Sequence, residues 1–558
     1  MNFTPGQSSF LKKEIVELSF GTSGLRGLVG DMTDLECYIN TKAFIGYLIG
    51  IKDISRGDTI CIGGDLRPST ARIMAAVTMA IEHSGCKPDN CGLIPTPALA
   101  FYAIQNAHAS IMVTGSHISV DRNGIKFYKH DGEILKVDEP GITAQVSKVR
   151  QEEAMLSPNE SLFDGNGKFK QPSSVGKIND QAKEAYIHRY IDIFPSDCFS
   201  TKTIVLYQHS SVGRDILGYI LQCLGAEVIP VKRSSKFIAV DTENITSNDK
   251  DLFKSLADKY KHRGIFAIIS TDGDGDRPVV ADENGNLYRG DVLGIIACEY
   301  LNAQFAVVPI SANDSVSIQL GKNGVTLKQT KIGSPYVIEA MNQAITSRKS
   351  LVVGWETNGG FLTGTDFTIN GNTLKSLPTR DSCLPIICAL AQAIKRNISI
   401  SQLFSGLPRR YSDAGLIDNF PLELSQKIMK HLSPPEENNI QQVNFEVGDI
   451  VAINVYGDHR RLDSRNSVFE LVLRTKGELQ RYFTSRLGFD SIACINFTDG
   501  IRITFANGDL AHIRPSGNAP QIRIYSNANS QERAREIAQL CVTEPNGIIQ
   551  QMARDLVK

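Results

Sequence analysis

Three aspartates alternate with glycines in TDGDGDR, residues 271–277. Glycine lets a loop fold tightly enough for Asp272, Asp274 and Asp276 to converge. Three hard oxygen donors suit Mg²⁺ and leave positions for water or phosphate. Two plainer readings compete. Counted from Asp272, Glu283 stands where a calcium EF-hand has its last ligand, but Arg277 takes the position that motif reserves for glycine, and Pro278 follows. A solvated acidic turn is the other. Further along, RPSGNAP (514–520) joins Arg514, Ser516 and Gly517. An arginine fork, a hydroxyl and exposed amides can hold phosphate oxygens. GWETNGG (354–360) presents Glu356 and Asn358 on a glycine-rich loop. A carboxylate and an amide two residues apart suit neighbouring hydroxyls of a sugar, although a simple turn reads the same way.

Three further stretches carry weaker signals. FGTSGLRG (20–27) sets Arg26 between glycines, and GGDLRPS (63–69) adds Asp65 and Arg67. VTGSH (113–117) places Ser116 directly after an apolar run. On these residues alone Ser116 reads as a hydrogen-bonding turn serine.

The elements that must position these residues alternate between helix and strand. STARIMAAVTMAIEHSG reads as a helix that Ser69 or Thr70 caps and Gly85 ends. Ile216, Leu217, Ile220, Leu221 and Leu224 recur at helical spacing, Gly225 stops the helix, and EVIPV follows as a strand. Apolar runs such as SIMVT, TIVLYQ, GIFAIIS, FAVVPIS and SLVVGWE suit parallel strands covered on both faces. The polar clusters follow such runs, and ligands of α/β sheets bind past the carboxyl ends of strands. The last quarter differs. Asn507-Gly508 is a hairpin signal inside IRITFANGDLAHIR, and QIRIYSNA and SQERAREIAQLCV add a strand and a helix, which is α+β grammar.

Length and composition bound the rest. The 558 residues exceed one core and predict roughly three to five domains. A net charge of −1 argues against broad binding to nucleic acid or an anionic membrane. The N-terminus lacks a signal-peptide layout, and no apolar run approaches the roughly 20 residues of a membrane span. Eleven scattered cysteines without a C-x-x-C pair read as reduced thiols of a cytoplasmic protein.

Taken together, FGTSGLRG, TGSH…NGIK, DGDGDR, GWETNGG and RPSGNAP resemble, in order, the N-terminal, phosphoserine, metal, sugar and phosphate loops of the α-D-phosphohexomutase family. The resemblance spans nearly the whole chain and is strongest to bacterial members of the phosphomannomutase type. It implies a mixed α/β protein with four domains around a central cleft, three similar α/β domains followed by a C-terminal α+β domain. We set their boundaries at 1–178, 179–286, 287–410 and 411–558. It implies interconversion of hexose 6-phosphate and hexose 1-phosphate through a phosphoserine and a hexose 1,6-bisphosphate, which serves as activator and intermediate. Ser116 corresponds to that serine. Mg²⁺ is then held by Asp272, Asp274, Asp276 and Ser116. Lys126 corresponds to the general base, with a pKa lowered by neighbouring cations. Arg26 and Arg277 add positive charge, and His117 shapes the loop.

The same resemblance gives Glu356, Asn358 and Gly359 to the sugar, and Arg514, Ser516, Gly517 and Asn518 to the phosphate that is not reacting. Closure of the C-terminal domain would keep water from the phosphoserine. The chain departs from the family where Gly115 stands for Ala, Ile118-Ser119 for Asn-Pro, Asn358 for Ser, Asn518 for Thr and Ser334 for a ligand-contacting His. The expected sugar is mannose, in the supply of GDP-mannose, with phosphoglucomutase or phosphoglucosamine mutase activity as alternatives. A phosphatase or a non-catalytic sugar-phosphate-binding protein are more remote. The expected partners are small sugar phosphates, with no nucleic acid and no membrane. The oligomeric state, monomer or dimer, is left open.

Overall fold

The computed structural model describes residues 18–21, 24–446, 449–455, 457–463, 465, 467–516 and 520–556. The chain packs as two compact units. The first comprises the chain through Val308 with Gly324–Lys328 and Gly333–Gly406, and the second comprises Pro309–Asn323, Gln329–Ile332 and the chain from Leu407.

The first unit is built on three mixed sheets. In the N-terminal sheet, Lys87–Leu93, Thr59–Gly64 and Ala109–Val113 run parallel, and Arg122–Lys129 returns antiparallel along Ala109–Val113. In the next, Glu227–Arg233, Thr203–His209 and Ile265–Thr271 are parallel and Pro278–Ala281 returns. In the third, Phe305–Pro309 and Val352–Trp355 are parallel and Phe361–Thr363 returns. One device therefore recurs three times. The chain leaves the carboxyl end of a parallel strand and turns back into an antiparallel neighbour. The turns are Thr114–Asp121, Asp272–Arg277 and Glu356–Gly360, the loops singled out by their chemistry. The parallel strands Ala109–Val113, Thr203–His209 and Ile265–Thr271 are buried almost throughout, which is why they read as apolar runs, whereas the edge strands Lys87–Leu93 and Glu227–Arg233 are partly exposed.

The first helical reading needs one correction. The helix spans Thr70–His83 and Gly85 follows it at φ +78°, as its sequence predicts. Neither hydroxyl caps it, however. Thr70 Oγ1 donates to Asp65 Oδ1 at 2.7 Å, and Ser69 Oγ accepts from Asn123 Nδ2 at 2.8 Å. Tertiary partners near the site have taken the groups that a cap would use.

The second unit carries an eight-stranded antiparallel sheet, in the order 411–417, 522–528, 510–515, 501–505, 492–496, 440–446, 449–454, 459–462. The Asn507-Gly508 hairpin is present, with Gly508 at φ +84°. Its helices Leu422–Leu432, Gln531–Val542 and Ile548–Leu556 pack a core of Ile428, Ile537, Met552 and Phe505 against the sheet. Among the described residues no helix is long and apolar enough to cross a membrane, and the eleven cysteines are free.

One backbone contact fixes the sugar-type loop to its domain. Gly290 opens the helix Gly290–Tyr300 directly against Asn358-Gly359, and a Cβ there would stand 2.2 Å from the Gly359 nitrogen. Backbone cannot yield as a flexible side chain does. Gly290→Ala is expected to lower the unfolding free energy by about 1–3 kcal/mol in urea denaturation. An unchanged midpoint would contradict this packing.

Candidate active site

Ser116 sits at φ +53°, in the left-handed region, which costs a non-glycine residue about 1–2 kcal/mol. Its surroundings hold it there. The Ser116 amide donates to Thr114 Oγ1 at 2.8 Å, and Thr114 Oγ1 donates to Asp65 Oδ2 at 2.8 Å. Arg67, fully buried and paired with Asp65, donates to the carbonyls of Ser116, Ile118, Ser119 and Arg122 at 3.0, 2.6, 2.6 and 2.9 Å. Phe237 covers the guanidinium, its ring centroid 4.0 Å from Cζ. This clamp accounts for Gly115. A Cβ at that position would stand 2.6 Å from Arg67 Cζ, so the alanine that the resemblance leads one to expect there does not fit this loop.

The Ser116 hydroxyl donates to Asp272 Oδ2 at 2.7 Å and lies 3.2 Å from His117 Nδ1. Asp272, Asp274 and Asp276 are fully buried, and one carboxylate oxygen from each lies within 4.8 Å of the others. The loop follows a strand, and Glu283 instead accepts from the Ser401 amide at 3.2 Å, which rules out the EF-hand. Asp272 Oδ1 accepts the amides of Asp276 and Arg277. Asp274 Oδ2 accepts from Thr96 Oγ1 at 2.6 Å. Asp274 Oδ1 and Asp276 Oδ1 are buried and accept no hydrogen bond, with Arg277 Nε 3.7 Å from the latter. Two such carboxylate oxygens beside a third acid fit a hard divalent cation such as Mg²⁺.

Three cations offset the triad, from the N-terminal sheet, the acid loop itself and the third sheet. Lys126 Nζ donates to Asp274 Oδ2 at 2.6 Å and to Asp276 Oδ2 at 2.7 Å. Arg277 lies 3.9 Å from Asp272 and 3.7 Å from Asp276. Arg380, on the strand Leu377–Asp381, donates from Nε to Asp276 Oδ2 at 2.9 Å and from a terminal nitrogen to Glu356 Oε2 at 3.0 Å. Burial drives the Asp272 pKa well up, and Asp274 and Asp276 add to it. Burial acts the same way on Asp276, but Arg380, Lys126 and Arg277 outweigh it and hold that acid far below the carboxylate range.

The expectation for Lys126 is reversed in this structure. Burial does lower its pKa, but Asp274 and Asp276 outweigh burial and lift it above the ordinary value. The reason is that the groups facing Lys126 are chiefly carboxylates rather than cations. Arg26, on Leu25–Leu28, is lowered to about 10 by burial and by Arg277 and Arg380, and keeps its charge at neutral pH. His117 is pushed down to about 3 by burial and Arg277, so it is a neutral imidazole beside the serine.

Glu356 and Asn358 are buried in the turn after Val352–Trp355. Asn358 Oδ1 accepts the Gly360 amide at 3.0 Å, the Asn358 carbonyl accepts from Thr242 Oγ1 at 2.9 Å, and Gly359 adopts φ +88°. Trp355 is core, its Nε1 donating to the Asp291 carbonyl at 3.0 Å. Ser334 turns its hydroxyl to Glu133 at 3.0 Å.

Ser116, Lys126, Arg26, Arg277, His117, the three aspartates and Glu356 thus gather in the first unit. Arg380 and the Arg67 clamp were missed or underweighted as single arginines beside a strand. In the second unit Arg514 pairs with Asp499 at 2.8 Å, and the Ser516 amide donates to the Gln521 carbonyl at 2.8 Å. Gly517 and Asn518 lie outside the described residues.

A hydroxyl on a buried acid triad, ringed by lysine and arginine at the ends of three α/β sheets, defines a class of enzymes that move phosphoryl groups. Comparison with known proteins narrows it. Models of the phosphoglucomutase/phosphomannomutase family match in order: α/β/α domain I over 17–153, domain II over 184–285, domain III over 289–411 and the C-terminal domain over 465–543. A phosphomannomutase of Sinorhizobium fredii is 36% identical across 93% of this chain and 96% of its own. One of Salmonella muenchen is 36% identical across 94% of each. A phosphoglucosamine mutase of Natranaerobius thermophilus is 26% identical across 79% of this chain and 95% of its own. The fold matches a phosphoglucomutase/phosphomannomutase family protein of Burkholderia thailandensis (TM-score 0.65, 16% identity, 96% of this chain and 97% of that one). It also matches the Paramecium phosphoglucomutase parafusin (TM-score 0.59, 15% identity, 97% and 96%). The chain belongs to the phosphoglucomutase/phosphomannomutase family and is a hexose phosphate mutase.

Two outcomes follow from the charges. Arg380→Met leaves the carboxylates of Asp276 and Glu356 without their shared partner. Unfolding in urea should show a loss of about 3–5 kcal/mol, and a loss under about 1 kcal/mol would mean the bridge does not form. His209 is fully buried, donates from Nε2 to the Thr271 carbonyl at 2.8 Å beside the acid loop, and is pushed down to about 4 by burial. Its unfolded pKa is about 6.5. The unfolded chain therefore takes up the proton first, and stability present above pH 6.5 is lost as pH falls towards 4, by up to about 3 kcal/mol. His209→Gln should flatten that fall, and an equal fall in the variant would contradict it.

Proposed function

We propose that this mutase interconverts hexose 6-phosphate and hexose 1-phosphate through a phosphoryl group carried on Ser116, with mannose as its sugar. The observation that carries the reading is the strained Ser116, clamped by Arg67, with its hydroxyl directed at Asp272. In the first half-reaction the Oγ–P bond of phosphoserine breaks as a bond forms from phosphorus to a sugar hydroxyl oxygen. The hydroxyl proton passes to Lys126, and a hexose 1,6-bisphosphate results. The sugar turns over and returns its other phosphoryl group to Ser116 Oγ, and the proton goes back to the freed hydroxyl. Bisphosphate added from outside primes the serine.

Asp272, Asp274 and Asp276 would hold Mg²⁺, together with an oxygen of the phosphoserine, and the ion would supply neutralisation of charge on the transferring group. Burial and Arg380 act to lower the Lys126 pKa, whereas Asp274 and Asp276 raise it. The base role therefore requires that a cation neutralise those carboxylates. Arg277 and Arg26 stay charged beside the acids and stabilise developing charge on phosphate. Glu356, Asn358 and Gly359 are assigned to the sugar hydroxyls, and Arg514, Ser516, Gly517 and Asn518 to the phosphate that is not reacting.

Mannose is supported by the two relatives named phosphomannomutase, at 36% identity against 26% for the phosphoglucosamine mutase. The proposal extends to four domains with boundaries at 1–178, 179–286, 287–410 and 411–558, to a cytoplasmic setting, and to a supply of mannose 1-phosphate for GDP-mannose.

The test is a coupled mutase assay with Mg²⁺ and bisphosphate, comparing kcat/KM for mannose 1-phosphate, glucose 1-phosphate and glucosamine 1-phosphate. Mannose 1-phosphate should be preferred, and Ser116→Ala should lose about 10³-fold or more of kcat. A preference for another sugar would overturn the substrate and keep the mechanism. Activity retained in Ser116→Ala would overturn the phosphoserine, and free phosphate released without isomerised sugar would make the chain a phosphatase.

A further inference from the structure

A second cluster of metal-ligating side chains lies away from the acid loop, on the N-terminal sheet. Cys61 on Thr59–Gly64 pairs across the parallel ladder with Asp89 on Lys87–Leu93, and Cys91 follows Asp89 by two residues. Opposed residues, and residues two apart on a strand, share one face. Beyond Ile62 the register shifts, with Gly92 at φ +75°, and this irregularity lies beside Cys91. The two thiols and one carboxylate oxygen of Asp89 come within 4.8 Å of one another, and Cys61 Sγ is 3.9 Å from Asp89 Oδ2. Cys91 Sγ donates to the Asp89 carbonyl at 3.7 Å. Bond lengths of about 2.3 Å to sulfur and 2.0–2.2 Å to oxygen make the edge of a zinc tetrahedron about 3.5–3.8 Å. Small side-chain rotations therefore bring the three ligands to that spacing.

The surroundings meet the other requirements of a metal site. Asn179 Nδ2 donates to both Asp89 oxygens at 3.0 and 3.1 Å, and orients the carboxylate as an outer-shell partner does. Asn179 is itself tied to the same strand, its amide donating to the Asn90 carbonyl at 2.7 Å. Cys61 and Cys91 are buried, while Asp89 is half-exposed and provides a path of entry. Two sulfurs set this cluster apart from the aspartate triad. Thiolates select zinc and other soft ions, whereas three carboxylates select Mg²⁺.

We propose that Cys61, Asp89 and Cys91 form a second metal site, which takes Zn²⁺ with water as the fourth ligand and ties the two strands to the chain at Asn179. Binding forms two sulfur–zinc bonds and one oxygen–zinc bond, and the two thiol protons leave to solvent. Zn²⁺ bound to the folded chain alone raises its stability by mass action.

The reduced full-length chain, with Mg²⁺ in excess, is titrated with Cd²⁺, whose thiolate complexes absorb in the ultraviolet where aspartate complexes do not. The absorption should saturate at one Cd²⁺ per chain and be lost in both Cys61→Ser and Cys91→Ser. X-ray absorption of the zinc-loaded wild-type chain should find two sulfur neighbours at about 2.3 Å, which decides the matter even if a serine variant does not fold. Absorption that survives in the variants, no absorption at all, or a zinc shell of oxygen and nitrogen alone would overturn the site.

Discussion

Three carboxylates buried within 4.8 Å of one another are the constraint on which the first unit depends. Uncompensated, each buried charge costs several kcal/mol. The fold answers from three directions, with Lys126 from the N-terminal sheet, Arg277 from the acid loop itself and Arg380 from the third sheet. Only Arg277 is a sequence neighbour of the acids; the other two cations come from far along the chain. Arg380 is 104 residues from Asp276, and Lys126 is 150. The charge balance that offsets the buried acids is thus the same balance that joins the three α/β sheets into one unit. Arg380 also reaches Glu356, so the acid loop and the sugar-type loop share one guanidinium.

The loops converge because the sheets share a turning point. Each domain sends a buried parallel strand outward and returns along an antiparallel neighbour, so each presents a short polar turn at the same topological position. Ser116 adds strain to that plan. Its left-handed backbone is held by Thr114 and by the carbonyl clamp of Arg67, whose own charge is held by Asp65. The fold itself thus holds the serine in place, and in the proposed mechanism the reacting group would pay no ordering cost at the moment of transfer.

Much of this was legible in the sequence, for physical reasons. The acid loop, the sugar-type loop and the Ser116 loop are contiguous motifs, and parallel strands buried on both faces read as apolar runs. The Asn507-Gly508 hairpin carries its own turn chemistry. What was not legible depends on distant partners. Arg380 is one arginine in LPTRD, and nothing local says that it faces two acids. Lys126 was expected beside cations, but its facing groups come from another sheet and include two carboxylates. Thr70 and Ser69 carry cap chemistry, yet Asp65 and Asn123 take their hydroxyls. The strands Ile440–Glu446, Asp449–Asn454 and His459–Leu462 were not anticipated either. They lie at one edge of the antiparallel sheet, largely half-buried or exposed, and polar residues interrupt their apolar pattern.

The central claim is that Ser116 carries the phosphoryl group between sugars. It is tested most directly by site-resolved mass spectrometry of the chain after exposure to glucose 1,6-bisphosphate with Mg²⁺, followed by a chase with mannose 1-phosphate. The account predicts one phosphoryl group on Ser116 that the chase removes into a sugar bisphosphate. A phosphoryl group on another residue, none on Ser116, or its release to water as free phosphate would contradict it.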